Sequence, residues 1–297
     1  MGTSLVITID VEEDSPKWQP EYPYTLNNIN DIPSLQELFD KYNIKPTYLL
    51  THSVASDKTC IDIFKKIHDK GKCEIGTHLH PWTNPPIEDN ERLVATFPCD
   101  LSDELLRGKI GRLSEVIYDS FGIFAKSYRA GRYGLDLRTV DLLKKYSYIV
   151  DTSITPYVSW KRRDGELSFI NAPVTPYFIS RDDLLREGNS SILEVPLTII
   201  YAKKRFYQKP SPIWFRPSYS TYWQMRNIID ILVNDGTPVL NMMFHSNEIS
   251  LGQSIFSKNI RQVKSYWKKL DEIFHYIIRQ NFIVSKTLSE VANEYHR

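Results

Sequence analysis

The sequence lacks most of the features that would assign it at a glance. It has no G-x-G-x-x-G and no P-loop, which removes the commonest reasons for an open nucleotide-binding sheet. Its three cysteines, Cys60, Cys73 and Cys99, show no C-x-x-C spacing, so a disulfide framework is not expected and reduced thiols are. No run of eighteen apolar residues occurs, so no transmembrane helix is expected. Neither sign of charge is in surplus. With 37 lysines and arginines against 36 acids the net is +1, and nothing global points to nucleic acid. The chain enters its first strand with no basic n-region, apolar h-region or cleavage site, which reads as a cytoplasmic protein.

What is present is an ordinary globular chain of 297 residues, 41% hydrophobic and 25% charged, long enough for a large core. Short apolar runs alternate with amphipathic segments. The spacing predicts strands at Leu5–Asp10, Pro46–Thr51, Cys73–His78, Lys126–Arg129, Tyr148–Thr152, Ile192–Thr198, Pro238–Phe244 and Phe282–Ser285. Helices are expected at Pro33–Tyr42, Asp57–Lys70, Ser102–Phe121, Leu135–Tyr146, Ser220–Asn234 and Asn259–Gln280, with a terminal helix from Thr287. The stretch from Pro156 to Ser191, rich in proline, glycine and charge, reads as an irregular insertion into one domain spanning residues 1–297. About seven or eight strand–helix units favour a (β/α) barrel over an open doubly wound sheet.

In such a barrel, chemistry gathers where the strands end. The first strand ends in four carboxylates within five positions, Asp10, Glu12, Glu13 and Asp14. That cluster reads either as a solvated acidic loop or as a site that needs carboxylates. The third strand ends in "GTHLHPW", where His78 and His80, two apart in extended chain, face the same side. "YRAGRYG" brings Arg129, Arg132 and Tyr133, the next strand ends at Asp151, and another ends in His245 followed by Ser-Asn-Glu. His-x-His beside a carboxylate is a reasonable zinc set, and the bland alternatives are a structural histidine pair and a rim ion pair for Arg129. The chemistry that uses these parts together is hydrolysis of an unactivated bond such as an amide. A divalent metal, a carboxylate base, a histidine acid and backbone N–H donors each have a place in it.

In this order the residues resemble the NodB-homology polysaccharide deacetylases, carbohydrate esterase family 4. "TIDVEED", "GTHLHPW", "YRAGRYG", "VDTSITP" and "MMFHSNE" are similar to the family's five motifs, and they run from Thr8 to Glu248. The resemblance implies a distorted (β/α)7-type barrel and removal of an N-acyl group, N-acetyl above all, from an amino sugar of surface-polysaccharide biosynthesis. It makes Asp10 the catalytic base, with Arg129 orienting it, His245 the general acid, Tyr133 a backbone donor to the oxyanion, and Asp151 a tuner of His245. Two departures bear on the metal. Val11 stands where the family has a second aspartate ligand, which leaves Glu12 to serve. The family's His-x-x-x-His would need a histidine at Trp82, which leaves His80 to pair with His78. Zn2+ is the metal implied.

The segment Tyr201–Arg226 carries six basic residues, eight aromatics and no acid. It reads either as aromatic platforms and cations for a nucleotide- or lipid-linked sugar, with peripheral membrane contact, or as an ordinary helix with a solvated basic face. Trp82, Arg132, Trp214 and Tyr222 are the residues expected to bind the carbohydrate. The rival readings are a hydrolase of a small non-sugar amide, with or without metal, and a barrel that binds glycans without catalysis.

Overall fold

The computed structural model describes residues 2–17, 23–87, 96–203 and 209–296. Its strands are β1 (Thr3–Val11), β2 (Thr47–Leu50), β3 (Glu74–Leu79), β4 (Ser127–Ala130), β5 (Val150–Asp151), β6 (Ser159–Arg162), β7 (Gly165–Ser168), β8 (Tyr177–Phe178), β9 (Leu193–Glu194), β10 (Ile199–Ala202), β11 (Ser211–Trp214), β12 (Val239–His245) and β13 (Ile283–Ser285). The helices are α1 (Ile32–Lys41), α2 (His52–Ser56), α3 (Lys58–His68), α4 (Asp103–Phe121), α5 (Leu137–Lys145), α6 (Tyr222–Asn234), α7 (Ile260–Ile278) and α8 (Leu288–Tyr295).

One curled sheet runs β12-β1-β2-β3-β4-β5-β9-β8, parallel throughout except for the β9–β8 edge. Past β9 the chain reaches back to β12, where Thr198 N–H donates to the Asn241 carbonyl at 3.1 Å and Asn241 N–H to Thr198 Oγ1 at 2.8 Å. The sheet so bent is a distorted (β/α) barrel, with seven parallel strands in that order and β13 pairing parallel with β1 beside it. The expected strand Ile192–Thr198 keeps ladder pairing only at β9; beyond it the Val195 and Leu197 N–H groups donate to the Asp151 and Ile154 carbonyls, and Thr198 makes the crossing.

Strand β1 lies between β12 and β2 and is buried along its whole length. Its alternation sorts the side chains. Leu5, Ile7, Ile9 and Val11 belong to the large core shared with α1, α3 and α4, while Val6 packs with Leu49, Val150, Leu193 and Val239 in a second cluster. Each such fully buried aliphatic side chain stabilises the fold by about 1.5–3 kcal/mol. Thr8 lies on Val6's side, accepting from Arg129 Nη2 at 2.7 Å. Asp10 and Glu12 continue that row to the strand's end.

Helix boundaries follow their caps. Ser102 accepts from Leu105 N–H at 3.3 Å to start α4, which stops at Gly122 in the left-handed conformation (φ 70°). The insertion is more ordered than its composition suggests. β6 and β7 form an antiparallel hairpin with Arg162 opposite Gly165, and β8 joins the sheet edge. Of the basic aromatic segment, β10 and β11 make a second hairpin and α6 begins only at Tyr222; residues 204–208 lie outside the described residues. Among the described residues no helix is long and apolar enough to cross a membrane.

Candidate active site and metal centre

The strand ends bring the sequence motifs together through sheet register. Asp10 is the register partner of His245, and His78 is that of Arg129. The Arg129 guanidinium holds Asp10 Oδ1 directly and donates through Nε to the Thr152 carbonyl at 2.9 Å. The other oxygen, Asp10 Oδ2, lies 3.6 Å from His245 Nε2 and 3.8 Å from His78 Nε2. Burial alone would raise the Asp10 carboxyl. Arg129, His78 and His245 more than offset it and hold the group at about 2. Asp10 is therefore ionised at neutral pH.

Three side chains converge beside it. Glu12 Oε2 lies 3.2 Å from His80 Nε2 and 3.7 Å from His78 Nε2, and one ligand atom from each of the three residues falls within 4.8 Å of the others. Their remaining atoms are engaged. His78 Nδ1 meets the Arg129 carbonyl at 3.1 Å, which fixes the tautomer whose Nε2 carries the lone pair. His80 Nδ1 meets Glu13 Oε2 at 2.8 Å, and Glu13's other oxygen accepts from Ser53. Glu12 Oε1 accepts from Asn247 Nδ2 at 2.9 Å. A carboxylate behind an imidazole is how metal-bound histidines are oriented, and a two-nitrogen, one-oxygen donor set with fixed tautomers fits a divalent cation. Burial pushes His78 down to about 4. The same burial acts against charge on His80, but Glu13 and Glu12 on either side hold it up at about 9.

Of the opening carboxylates, only Asp14 has no part in the cluster. It accepts from Asn28 N–H at 3.0 Å, Asn27 N–H at 2.8 Å and Thr25 Oγ1 at 2.6 Å, ordering the turn that leads to α1.

The pocket over this floor has a volume of about 210 Å³. Trp82 stands on its wall, stacked on His80 with ring centroids 4.2 Å apart, and Arg132, Tyr133, Trp160, Lys161, Phe97 and Tyr219 complete the rim. Arg132 and Tyr133 both take left-handed backbone (φ 52° and 62°), unusual for residues with a Cβ, in the tight turn that ends β4. Gly131 before them is required by contact, since a Cβ there would lie 2.3 Å from the Leu79 carbonyl oxygen.

Three expectations need correction. The carboxylate at His245 is Glu248, not Asp151. Glu248 Oε1 lies 2.9 Å from His245 Nδ1 and also binds Arg216, while Oε2 accepts from Tyr266 at 2.7 Å. Asp151 is spent elsewhere, accepting from Ser153 N–H at 2.9 Å and Ser153 Oγ at 2.8 Å beside the buried Glu194. Trp214 lies behind the pocket wall, edge-on to Trp160 at 6.2 Å and to Tyr219 at 5.6 Å. Tyr222 is in the first turn of α6 against Trp223 and does not line the pocket.

Sequence reasoning missed Glu248, Arg216, Glu13, Trp160 and Lys161 as site residues. Glu248 stood in the "HSNE" run, three residues past His245, the spacing that folds a 3-10 turn back on its own histidine. Trp160 and Lys161 were hidden in the insertion, where alternating "SWKR" and the Asp164-Gly165 pair were the available hairpin signal.

No family model matches the chain, and no curated protein is similar to it. Solved structures are. A candidate glycoside hydrolase/deacetylase from Parabacteroides distasonis superposes with a TM-score of 0.68 at 12% identity, covering 99% of this chain and 71% of that one. A candidate polysaccharide deacetylase from Mycobacterium smegmatis gives 0.62 at 14% identity, with 99% and 90% covered. The Xyl-CE4 domain of a multidomain xylanase from the hindgut metagenome of Trinervitermes trinervoides gives 0.51 at 12% identity, with 100% and 92% covered. At these identities the likeness is one of fold, a distorted (β/α) barrel shared with structures described as deacetylases.

Proposed function

We propose that this chain is a metal-assisted amide hydrolase that removes an N-acyl group, N-acetyl above all, from an amino sugar in a glycan or an activated sugar. The observation that carries the reading is the meeting of two registers. Asp10 and His245 face one another at 3.6 Å, beside the converging Glu12, His78 and His80.

Glu12, His78 and His80 would hold the cation, and zinc suits their nitrogen–oxygen donors. Bound there, it would supply a Lewis acid that polarises the acyl carbonyl and eases deprotonation of water. The chain's own residues do the rest. Asp10, held ionised by Arg129, takes the proton of the attacking water through Oδ2, the oxygen that Arg129 leaves open. His245 Nε2, 3.6 Å from that oxygen on the neighbouring strand, gives a proton to the departing amine, which would leave far too slowly as an anion. Glu248 behind Nδ1 holds that imidazole in place. The Tyr133 N–H, in its left-handed turn at the pocket rim, is the proposed donor to the oxyanion. Trp82 and Trp160 offer ring faces for the sugar.

The test is acetate release from N-acetylated oligosaccharides and sugar phosphates by zinc-loaded protein. Asp10→Asn and His245→Ala should each abolish turnover in a folded protein. Full activity in both would remove the assignment. His78→Ala with His80→Ala should abolish stoichiometric zinc binding, and zinc retained in that variant would refute the ligand set alone.

A further inference from the structure

The carboxylates on the pocket floor are already provided for. Asp10 has Arg129, Glu13 has His80 and Ser53, and Glu12 has His80 and Asn247. Asp14 is satisfied by the 25–28 turn. Two cations on the rim are therefore not needed to neutralise them. Among the described residues, the Arg132 guanidinium makes no hydrogen bond or ion pair. Its contacts are the ring of Trp82, 5.7 Å from the guanidinium carbon to the centroid, and that of Phe97, at 5.9 Å. Ring contact of this kind supports the flat face of a guanidinium and leaves the N–H donors at its edge for another acceptor.

Lys161 lines the same pocket from the β6–β7 hairpin, and Trp160 before it stacks on Tyr133 at 5.0 Å, next in sequence to Arg132. Glu166 is its register partner on β7, yet no ion pair forms between them. Neighbouring cations behave differently. Arg162 pairs with Asp100, Arg138 with Asp103 and Asp136 at 2.6 Å, and Lys144 with Asp141 at 3.0 Å. Arg132 and Lys161 thus face the pocket with no ion pair among the described residues, the Glu12 charge acting on Arg132 without contact, and Arg132 is carried on strained left-handed backbone.

We infer that the substrate carries an anionic group, a phosphate or a carboxylate, close to its N-acyl sugar ring, and that Arg132 with Lys161 binds it. This rests on the hydrolase reading above and narrows its substrate class. Arg132 supplies the directional contact, since its planar fork matches two oxygens of either anion. The exposed Lys161 adds a charge that salt will screen. The basic stretch around residues 201–226, expected to serve this purpose, contributes Arg216 and Tyr219 to the pocket, and Arg216 is already committed to Glu248.

The experiment compares N-acetylglucosamine 1-phosphate, N-acetylglucosaminuronate and neutral chitotriose, by acetate release and by calorimetric binding, in zinc-loaded wild type, Arg132→Gln and Lys161→Gln. Wild type should prefer an anionic sugar over chitotriose, and the two anionic arms tell phosphate from carboxylate. Arg132→Gln should lower that preference about tenfold or more, Lys161→Gln by less, and the Lys161 share should fade with added salt. Equal affinity for charged and neutral sugars, or a preference untouched in Arg132→Gln, overturns the inference. If no sugar is hydrolysed but the anionic preference in binding is present and depends on Arg132, the inference stands and the hydrolase reading falls.

Discussion

Replacing Glu248 with glutamine separates what this residue does for folding from what it does for His245. The carboxylate is fully buried between Arg216, His245 and Tyr266. Burial would raise its pKa; Arg216 first, then His245 and Tyr266, hold it instead at about 2, against an ordinary 4.5. A carboxyl depressed by folding contributes stability that is fully present above the ordinary value and lost as pH falls towards the folded one. In wild type that contribution is on the order of 3 kcal/mol, disappearing between about pH 4.5 and pH 2. Glu248→Gln should lose it at neutral pH and leave Arg216 as a buried cation without its counter-charge, a total cost of about 3–5 kcal/mol. Urea unfolding at pH 7 and at pH 4 reads this, and the variant should show less acid destabilisation than wild type. The imidazole also loses its anionic partner, so kcat should fall by roughly 10²–10⁴-fold. The double variant Arg216→Met with Glu248→Gln removes the stranded charge and should recover much of the stability while recovering none of the turnover. Wild-type stability and kcat in Glu248→Gln would refute the argument. Recovery of both in the double variant would show that Glu248 acts only through Arg216.

Two further outcomes follow from the same geometry. Glu13→Gln weakens the partner behind His80 Nδ1, so zinc affinity measured by chelator competition should drop by roughly 10–100-fold; unchanged affinity would show that Glu13 does not orient the ligand. Lys109 is fully buried and donates to the carbonyls of Pro81, at 3.0 Å, Asn84, at 2.7 Å, and Pro86, pinning the loop that carries Trp82. Lys109→Met should cost about 3 kcal/mol or more in thermal or urea unfolding, and a variant of wild-type stability would show that these carbonyls find other donors.

The elements that carry the proposed catalytic pair were legible because they are local patterns. An apolar β-branched run predicts a buried strand whether its acidic tip is a solvated loop or a site, and Asp10 and Glu12 fall on one side of it by parity. His78 and His80 followed from the same period of two. The partner of His245 was not legible. The choice between Asp151 and Glu248 depends on how Ser246–Ile249 turns and on Ser153 drawing Asp151 away, both set by tertiary contacts. The pocket walls failed for a related reason. Trp160 and Lys161 come from a hairpin with little hydrophobic periodicity, and Trp214 is aromatic in a basic segment yet faces the core. Composition cannot tell a ring that binds sugar from one that supports it.

The substitution at position 11 gives the sharpest test of strand parity. Where the resemblance calls for a second aspartate, Val11 is fully buried on the same face of β1 as Ile7 and Ile9, in the core beneath the helices. Glu12, the first residue beyond the strand, falls on the side of Asp10, and its N–H is held by Ser246 Oγ at 3.2 Å. By that parity the proposed ligand is Glu12, on the side of β1 that holds Asp10, and residue 11 is left to the core. Placing the aspartate of the resemblance at position 11 should therefore fail. Val11→Asp would place an unpaired carboxylate among apolar neighbours, costing several kcal/mol, roughly 3–5 by analogy with a stranded buried charge, and urea unfolding would register it. In a Glu12→Ala background, Val11→Asp should return no zinc affinity, because its carboxylate points away from His78 and His80. Zinc binding regained in that double variant would mean that β1 can end at Asp10 and turn residue 11 into the pocket, and the parity argument for Glu12 would be wrong.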